Sequence, residues 1–246
     1  MEPIYQLSFD ITDLHADRFG RLKSSSILYF VQEAAGKHWQ YIEDKTGQNC
    51  NLYWVIIRHR VQVSRLPRRG EKIRLETWPM PTTRVAYPRS VVAYDENGSE
   101  LFRSISLWVL MDLNNRSMIL PGKSGVDIEG MLNGTELATP RSLLPRPMEN
   151  RRSRSVCFTD LDLNGHMNNT RYLDWLMDLL PSDFHRDHPV KDFTLCYMNE
   201  AREGQTLELA WEVDAQGALN VDIQRPKGDD HDRIFAAKLE FGSGVL

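Results

Sequence analysis

Four absences narrow the function classes before any motif is considered. The 246-residue chain has no apolar run near the roughly 20 residues that a membrane helix needs. Its net charge is −4, so it lacks the positive field typical of nucleic-acid-binding domains. Cys50, Cys157 and Cys196 form no CxxC pair, which disfavours a disulfide framework and a zinc site. We expect Cys157 and Cys196 to pack in strands. The first 20 residues contain neither a basic n-region nor a small-residue cleavage site, so we expect no secretory signal. We therefore expect a cytoplasmic protein without metal or cofactor, membrane span or nucleic-acid partner.

What the sequence does contain is helical periodicity followed by strand-like alternation. Apolar residues recur at helical spacing between Ser24 and Gly47, which predicts a long buried helix capped by Ser24 or Ser25. Strands follow, including "EKIRLETWP" and two long strands joined at "DENG". Pro88 inside the first of those two predicts a sheet edge or a bulge.

The same order of elements recurs after a stretch rich in glycine and proline. A strand, "RSRSVCFTD", precedes a second helix, "NNTRYLDWLMDLLP", which we expect to stop at Pro181, and four more strands follow. The pattern predicts an α+β protein with an N-terminal domain at 1–120, a linker at 121–149 and a C-terminal domain at 150–246. Each domain would wrap a long helix in an antiparallel sheet.

An alignment of the two halves supports a duplicated domain. Gly20 aligns with Gly165, and Gly70 aligns with Gly204, each glycine occupying the same place in the order of elements. Two such domains would form a pseudo-dimer within one chain. Both a monomer and a homodimer of the whole chain are compatible with this prediction.

The halves differ in the polar segment "DLDLNGHMNNTRYLDW". Asp162, Asn164 and His166 align with Asp17, Phe19 and Arg21, and Glu200 aligns with Leu66. A residue type needed only to build the loop would tend to occur in both halves. The amide, the imidazole and the second carboxylate therefore point to a single reaction centre, whereas the shared aspartate can simply shape a turn.

These side chains suit hydrolysis of an activated acyl group. His166 exchanges protons near neutral pH, and a carboxylate such as Asp162 could orient it and stabilise its cation. Asn164 can donate to a developing oxyanion. Glu200 could act as a base or as a nucleophile. Asn168 and Asn169 are better explained as helix caps.

The same segment, followed by "FTLCYMNEA", resembles the acyl-acyl carrier protein thioesterases of plants and bacteria. In the first half "GRLKSSSILYFVQEAAGKHW" and "LFRSISLWVLMDLNNR" resemble that family as well. The resemblance implies a tandem (double) hotdog fold and hydrolysis of fatty acyl-acyl carrier protein to free fatty acid. It assigns the catalytic roles to Asp162, Asn164, His166 and Glu200. Many plant members have a cysteine after the acidic residue, but Ala201 stands here, which excludes a cysteine acyl-enzyme at that position.

The resemblance also implies how the substrate is held. The partner would be acyl carrier protein with its phosphopantetheine-linked acyl chain, and the first half would supply the acyl-chain pocket. Because the carrier is acidic, a basic surface is expected. Two candidates are "RLPRRGEK" and the run containing Arg146, Arg151, Arg152 and Arg154.

Several alternatives stay open at this point. The carrier could be coenzyme A, or the protein could bind acyl chains without catalysis. A metal enzyme using His185 and His188 is a third alternative, although their segment is better explained as a loop. The residues do not distinguish attack by water from a transient anhydride on a carboxylate.

Overall fold

The computed structural model describes residues 3–46, 52–228 and 230–242. Gly47, expected just after the first helix, and Cys50 lie outside the described residues. The chain divides into two compact units. The first comprises Met1–Lys23 and Tyr29–Pro140, and the second comprises Ser24–Leu28 and Arg141–Leu246.

The first unit contains an antiparallel sheet in the order β1-β3-β4-β5-β2, with the short β6 paired to β5. Its elements are β1 (Tyr5–Asp10), α1 (Ser24–Thr46), β2 (Leu52–Val63), β3 (Lys72–Pro79), β4 (Tyr87–Tyr94), β5 (Glu100–Asp112), β6 (Met118–Ile119) and α2 (Pro121–Ser124). The first five residues of α1, Ser24–Leu28, are counted in the second unit.

Helix α1 buries the apolar face that its periodicity predicts. Val31 and Ala34 are fully buried. Phe30 packs against Phe9 of β1 with ring centroids 4.3 Å apart, and His38 stacks on Tyr5 at 5.3 Å. Burial of such side chains contributes on the order of 2 kcal/mol each, so packing against the sheet holds this helix.

Pro88 does not mark a sheet edge, because β4 lies between β3 and β5. The expectation of an edge or a bulge there is wrong, since the register shift between β4 and β5 falls at Ala93/Tyr94. The Pro88 carbonyl accepts from the Met80 N–H at 2.9 Å, one residue beyond the end of β3. A residue's N–H and C=O point to the same side of its strand, so the N–H that Pro88 lacks would also face β3. Because β3 ends at Pro79, no hydrogen bond within that strand pair is lost.

The second unit contains an antiparallel sheet in the order β8-β11-β10-β9-β7. Its elements are β7 (Asn150–Ser155), a 3-10 turn (Phe158–Asp160), α3 (Asn169–Met177), α4 (Ser182–Asp187), β8 (Val190–Tyr197), β9 (Thr206–Val213), β10 (Leu219–Lys227) and β11 (Asp230–Phe241).

Helix α3 is shorter than its sequence pattern predicts. It ends at Met177, and the Leu179 N–H then bonds the Leu176 carbonyl at 3.1 Å, a tighter turn than the α-helix. Pro181 caps the separate helix α4. The packing of α3 is nevertheless the expected one, because Tyr172 stacks on Phe235 of β11 at 4.5 Å.

Candidate active site

The polar segment of the second unit folds into a tight loop organised by Asp162. Its Oδ1 accepts backbone hydrogen bonds from Asn164 at 2.8 Å and from His166 at 3.1 Å. Its own N–H donates to the His166 carbonyl at 2.8 Å. Gly165 takes a φ of 73°, which costs other residue types about 1 kcal/mol or more. The aspartate and the glycine together fix the path of this loop.

The first unit builds the same loop from Asp17. Its Oδ1 accepts from the backbone N–H groups of Phe19 at 2.8 Å and of Arg21 at 3.0 Å. Gly20 takes a φ of 74°. Because both units make this turn in the same way, the aspartate of each loop has a structural task. Asp162 therefore shapes the loop that carries Asn164 and His166.

A short bridge brings Glu200 to that loop. The Met167 N–H donates to the Ala201 carbonyl at 2.8 Å, and His166 forms an isolated antiparallel bridge with Arg202. As a result the Nε2 atom of His166 lies 3.0 Å from Oε2 of Glu200. The His166 side chain is 16% exposed and that of Glu200 is 43% exposed, so the pair is accessible to a ligand.

This contact corrects one detail expected from the sequence. Asp162 was the carboxylate expected to orient the imidazole, but the carboxylate in contact with the ring is Glu200. The hydrogen bonds given for Asp162 run to backbone N–H groups of its own loop. A partner 34 positions later in the chain could not be assigned from sequence spacing alone.

Two arginines that the sequence analysis did not single out support Glu200. Nη1 of Arg225 donates to the Glu200 carbonyl at 3.2 Å, while its Nη2 donates to Asp232 at 2.8 Å. Nη2 of Arg202 lies 3.6 Å from Oε2 of Glu200. Arg225 thus anchors the backbone, and Arg202 adds positive charge beside the carboxylate. The one sequence signal that could have identified Arg202 as a site residue is its position two residues after Glu200.

Asn164 lies at the exposed tip of the loop. In the part of the chain that the structure describes, its side-chain amide makes no hydrogen bond, although its backbone N–H is held by Asp162. An amide with both its donor and its acceptor open can bind a carbonyl oxygen or a water molecule. This is the state expected of a group that contacts a ligand.

The corresponding positions of the first unit hold no such pair. The Leu22 N–H donates to the Pro67 carbonyl at 2.8 Å, so the backbone bridge is the same, but Leu66 stands where Glu200 stands in the second unit. Arg21 turns to its own loop aspartate, Asp17, with Nε 3.3 Å from Oδ2. The two loops share their architecture and differ in their chemistry.

The neighbouring polar residues have structural roles. The Asn168 side chain accepts from the Thr170 N–H at 2.9 Å and caps α3, as expected.

Ala201, the residue after Glu200, is buried. Cys196 is buried in β8, whereas Cys157 is exposed just beyond β7. The expectation that Cys157 packs in a strand is therefore wrong.

The two arginine runs are largely paired with acids. Arg146 pairs with Glu212 and Arg151 with Glu208, and Arg154 lies 2.7 Å from Asp178. In "RLPRRGEK", Arg65 pairs with Glu71 at 2.8 Å and Arg69 with Asp13 at 2.9 Å. Such pairing lowers the positive potential that either run would offer to an acidic partner.

A cavity of about 260 Å³ lies in the first unit. We call it the α1–β4 cavity, since α1 and β4 supply most of its lining, and its walls include the aromatic side chains of Trp39, Trp54, Tyr87 and Trp108. Trp54 packs edge-on against Trp39 and against Tyr87, each at 5.0 Å between ring centroids. The buried Arg89 and the side chain of Gln32 also reach this cavity.

Two further features bear on the alternatives raised by the sequence. Within residues 3–46, 52–228 and 230–242, no group of three or more His, Cys, Asp or Glu residues could hold a metal ion. His185 and His188 lie at the short helix α4 and bond the backbone carbonyls of Met177 and Phe184 at 2.8 and 3.0 Å. In the same ranges no helix combines the length and apolar character needed to cross a membrane.

Comparison with known families matches both halves of the chain. Residues 2–120 match the model of the acyl-ACP thioesterase N-terminal domain, and residues 146–238 match that of the C-terminal domain. The palmitoyl-acyl carrier protein thioesterase of Gossypium hirsutum is 28% identical over 190 residues, or 72% of this chain and 46% of that protein. The oleoyl-acyl carrier protein thioesterase of Coriandrum sativum is 25% identical, over 74% of this chain and 55% of that protein. The chain thus spans about half the length of the curated relatives it matches.

Solved structures agree on the fold. An acyl-ACP thioesterase from Bacteroides thetaiotaomicron superposes with a TM-score of 0.82 at 22% identity, over 98% of each chain. The 12:0-ACP thioesterase of Umbellularia californica gives 0.81 at 21% identity, over 99% of this chain and 98% of that one. The fold is the double hotdog expected from the sequence, in the α+β class.

Proposed function

Because the chain belongs to the acyl-ACP thioesterase family, we propose that it hydrolyses the thioester of fatty acyl-acyl carrier protein and releases free fatty acid. The observation that carries the proposal is the 3.0 Å contact between His166 Nε2 and Glu200 Oε2. The pair occurs beside a ligand-accessible amide, Asn164, and the first unit lacks its equivalent.

The reaction starts with a water molecule activated by His166. With Nε2–H donating to Glu200, the opposite ring nitrogen, Nδ1, can accept a proton from water as the water oxygen attacks the thioester carbonyl. The new C–O bond gives a tetrahedral intermediate. When the C–S bond breaks, the imidazolium returns the proton to the departing thiolate.

Glu200 stabilises the imidazolium that forms in this step. Its carboxylate contacts the ring directly, and a carboxylate so placed fixes the tautomer and offsets the developing positive charge. Arg225 positions Glu200 by holding its backbone carbonyl. Direct attack by Glu200 on the substrate, with an anhydride intermediate, is the competing course.

Asn164 stabilises the oxyanion of the intermediate. Its amide is exposed, and a single such donor contributes roughly 3 kcal/mol to the transition state in acyl-transfer enzymes. Asp162 acts on the reaction through the loop, because its Oδ1 holds the backbone of both Asn164 and His166. We therefore propose a positioning role for Asp162 and contact with the substrate for Asn164.

The α1–β4 cavity is proposed to receive the acyl chain. Its aromatic walls suit an apolar ligand. At about 30 Å³ per water-sized group, its 260 Å³ holds on the order of nine non-hydrogen atoms of the chain. This proposal gives the first unit the task of binding the chain and leaves the catalytic groups to the second unit.

We propose a cytoplasmic location and a role in fatty acid biosynthesis as well. The exposed free thiol of Cys157 supports a reducing compartment. Fractionation of cells that express the protein would place it, and recovery in a membrane or secreted fraction would refute this part.

Steady-state hydrolysis of matched thioesters tests the carrier. The same acyl chain would be offered on acyl carrier protein and on coenzyme A, with free fatty acid measured by mass spectrometry. We expect kcat/KM at least about tenfold higher for the carrier protein, which corresponds to about 1.4 kcal/mol of added contacts. Higher efficiency with coenzyme A would identify an acyl-CoA thioesterase. Binding without any release of acid would identify a non-catalytic protein.

A further inference from the structure

The α1–β4 cavity contains a buried charge that an unsubstituted hydrocarbon chain does not need. Arg89, on the central strand β4, lines the cavity and is only 7% exposed. In the part of the chain that the structure describes, it forms no ion pair with an acidic side chain. A buried guanidinium without an anion costs several kcal/mol, so its retention calls for a partner.

The hydrogen bonds of Arg89 leave one edge of its guanidinium open. Nη1 donates to His38 Nδ1 at 3.0 Å and to Thr77 Oγ1 at 3.1 Å. Across the described residues, Nε and Nη2 donate to no protein group. These two atoms form the side-on edge with which arginine binds carboxylates and other oxygen acceptors through two parallel bonds.

The protonation states agree with this arrangement. Burial lowers the pKa of Arg89 to about 10, so the group is cationic at neutral pH. Burial, and then the charge of Arg89, lower the pKa of His38 to about 4, which leaves that ring neutral and its Nδ1 free to accept. His38 and Thr77 therefore hold the guanidinium in place without neutralising it.

Gln32 provides a second unsatisfied polar group at the same cavity. It lies on α1 and lines the cavity, and its Nε2 is buried without a hydrogen-bond partner among the residues that the structure describes. Two other polar groups of the wall are satisfied by the protein, since Trp108 Nε1 donates to Ser106 at 2.8 Å and the Tyr87 hydroxyl bonds Ser124 at 2.6 Å. Buried unpaired donors are rare in folded proteins and indicate a missing partner.

We propose that this cavity binds acyl chains that carry an oxygen substituent, such as a hydroxyl, oxo or carboxylate group, and that Arg89 and Gln32 donate hydrogen bonds to it. The inference rests on the proposed function in so far as the ligand is an acyl chain. The aromatic walls would hold the hydrocarbon part, and the open guanidinium edge would select the substituted chain over the plain one.

Binding to non-hydrolysable analogues tests this independently of catalysis. Pantetheine amides of octanoic, 3-hydroxyoctanoic and 8-hydroxyoctanoic acid and of the eight-carbon dicarboxylic acid would be titrated, with fluorescence of Trp39, Trp54 and Trp108 in the cavity wall as the readout. We expect at least one oxygenated analogue to bind about tenfold or more tighter than the octanoyl amide, the effect of one charge-assisted hydrogen bond. Preference for the dicarboxylic analogue would identify an anion, and preference for a hydroxy analogue a neutral acceptor.

The variants separate a binding role from a structural one. Arg89→Met and Gln32→Leu should each reduce the preference at least about threefold, the preference being the ratio of the dissociation constants of the octanoyl and oxygenated amides measured on the same variant. Arg89→Lys keeps the charge but loses the two-donor edge, and it should also weaken the preference. Equal or tighter binding of the plain chain by the unmodified protein would overturn the proposal, as would a preference that survives in Gln32→Leu and both Arg89 variants. A protein that hydrolyses no acyl thioester but retains the preference would refute only the proposed function.

Discussion

Replacing Glu200 by glutamine tests the site most informatively, because the change keeps shape and removes charge. The carboxylate lies 3.0 Å from the His166 ring. At that distance the attraction between an imidazolium and a carboxylate is about 1.4 kcal/mol at a dielectric constant of 80 and about 5.5 kcal/mol at 20. The pair is partly exposed, so an intermediate value applies. We expect kcat to fall about 100- to 1,000-fold, or about 3 to 4 kcal/mol.

The same substitution should hardly change stability. Ion pairs with this degree of exposure contribute at most about 1 kcal/mol to folding, which corresponds to no more than about 2 to 4 °C in melting temperature for a chain of this length. Loss of turnover without loss of fold is the pattern expected of a catalytic group.

A matched control removes a comparable ion pair elsewhere in the second unit. Glu208 pairs with Arg151 across strands β9 and β7, so Glu208→Gln deletes the same kind of charge away from the loop. Both variants would be assayed for fatty acid released from acyl-acyl carrier protein and for thermal unfolding. Turnover within about threefold of the unmodified protein in Glu200→Gln would refute the role given to this residue.

Four other predictions follow from the described contacts. Asp162→Asn keeps an Oδ1 acceptor and should retain most activity, whereas Asp162→Ala should lose activity and about 1 to 2 kcal/mol of stability. Asp17→Ala should show only the stability loss in thermal melts and assays, and full activity in Asp162→Ala would contradict this account. Ala35→Leu in the cavity wall should lower kcat/KM about tenfold for the longest accepted chain and leave shorter chains unaffected. The control for it, Lys37→Leu on the exposed side of α1, should preserve the profile of chain lengths, and an unchanged profile in Ala35→Leu would exclude the cavity. Burial lowers the pKa of His59 to about 3. Burial, and then the charge of Arg89, lower the pKa of His38 to about 4. The unfolded chain then binds more protons below pH 6.5, so the free energy of unfolding should fall as pH decreases from 6.5 towards 4, by up to about 1.4 kcal/mol per unit for each histidine. Urea titrations at pH 7 and 5.5 would measure this change in the free energy of unfolding with pH. His59→Gln should make the change smaller, and an equal change in that variant would contradict the prediction. Finally, a single turnover in ¹⁸O-labelled water should place the heavy oxygen in the fatty acid, whereas its appearance in Glu200 would support the anhydride course.

The fold could be predicted from sequence where local pattern and tertiary packing agree. Helix α1 begins at Ser24 and buries the periodic apolar face. The end of α3 at Met177 was not predictable, because Asp178 and Leu179 are compatible with a helix and the tightening of the last turn depends on surrounding structure. The sheet edge or bulge expected at Pro88 was wrong for a similar reason. Whether a proline removes a hydrogen bond from the sheet depends on where the neighbouring strand ends, and the sequence around Pro88 does not show this.

The candidate site divides in the same way. The alignment of the two halves identified Asn164, His166 and Glu200 as the positions that differ, and it indicated that the shared aspartate shapes a turn. It could not indicate which carboxylate meets the imidazole, because Glu200 reaches His166 only through the bridge formed by Met167 and Ala201. Arg89 was also missed, although an arginine inside the strand-like "YPRSVVAY" was the available signal.

The central claim is that His166 and Glu200 act as one catalytic unit, and a double-substitution cycle tests it most directly. Turnover of acyl-acyl carrier protein would be measured for His166→Asn, Glu200→Gln and the double variant, with melting temperatures confirming that each folds. Residues that act together are not additive, so the double variant should be no more than about threefold slower than the slower single variant. Losses that multiply, leaving the double variant slower by the product of the two single effects, would contradict the claim.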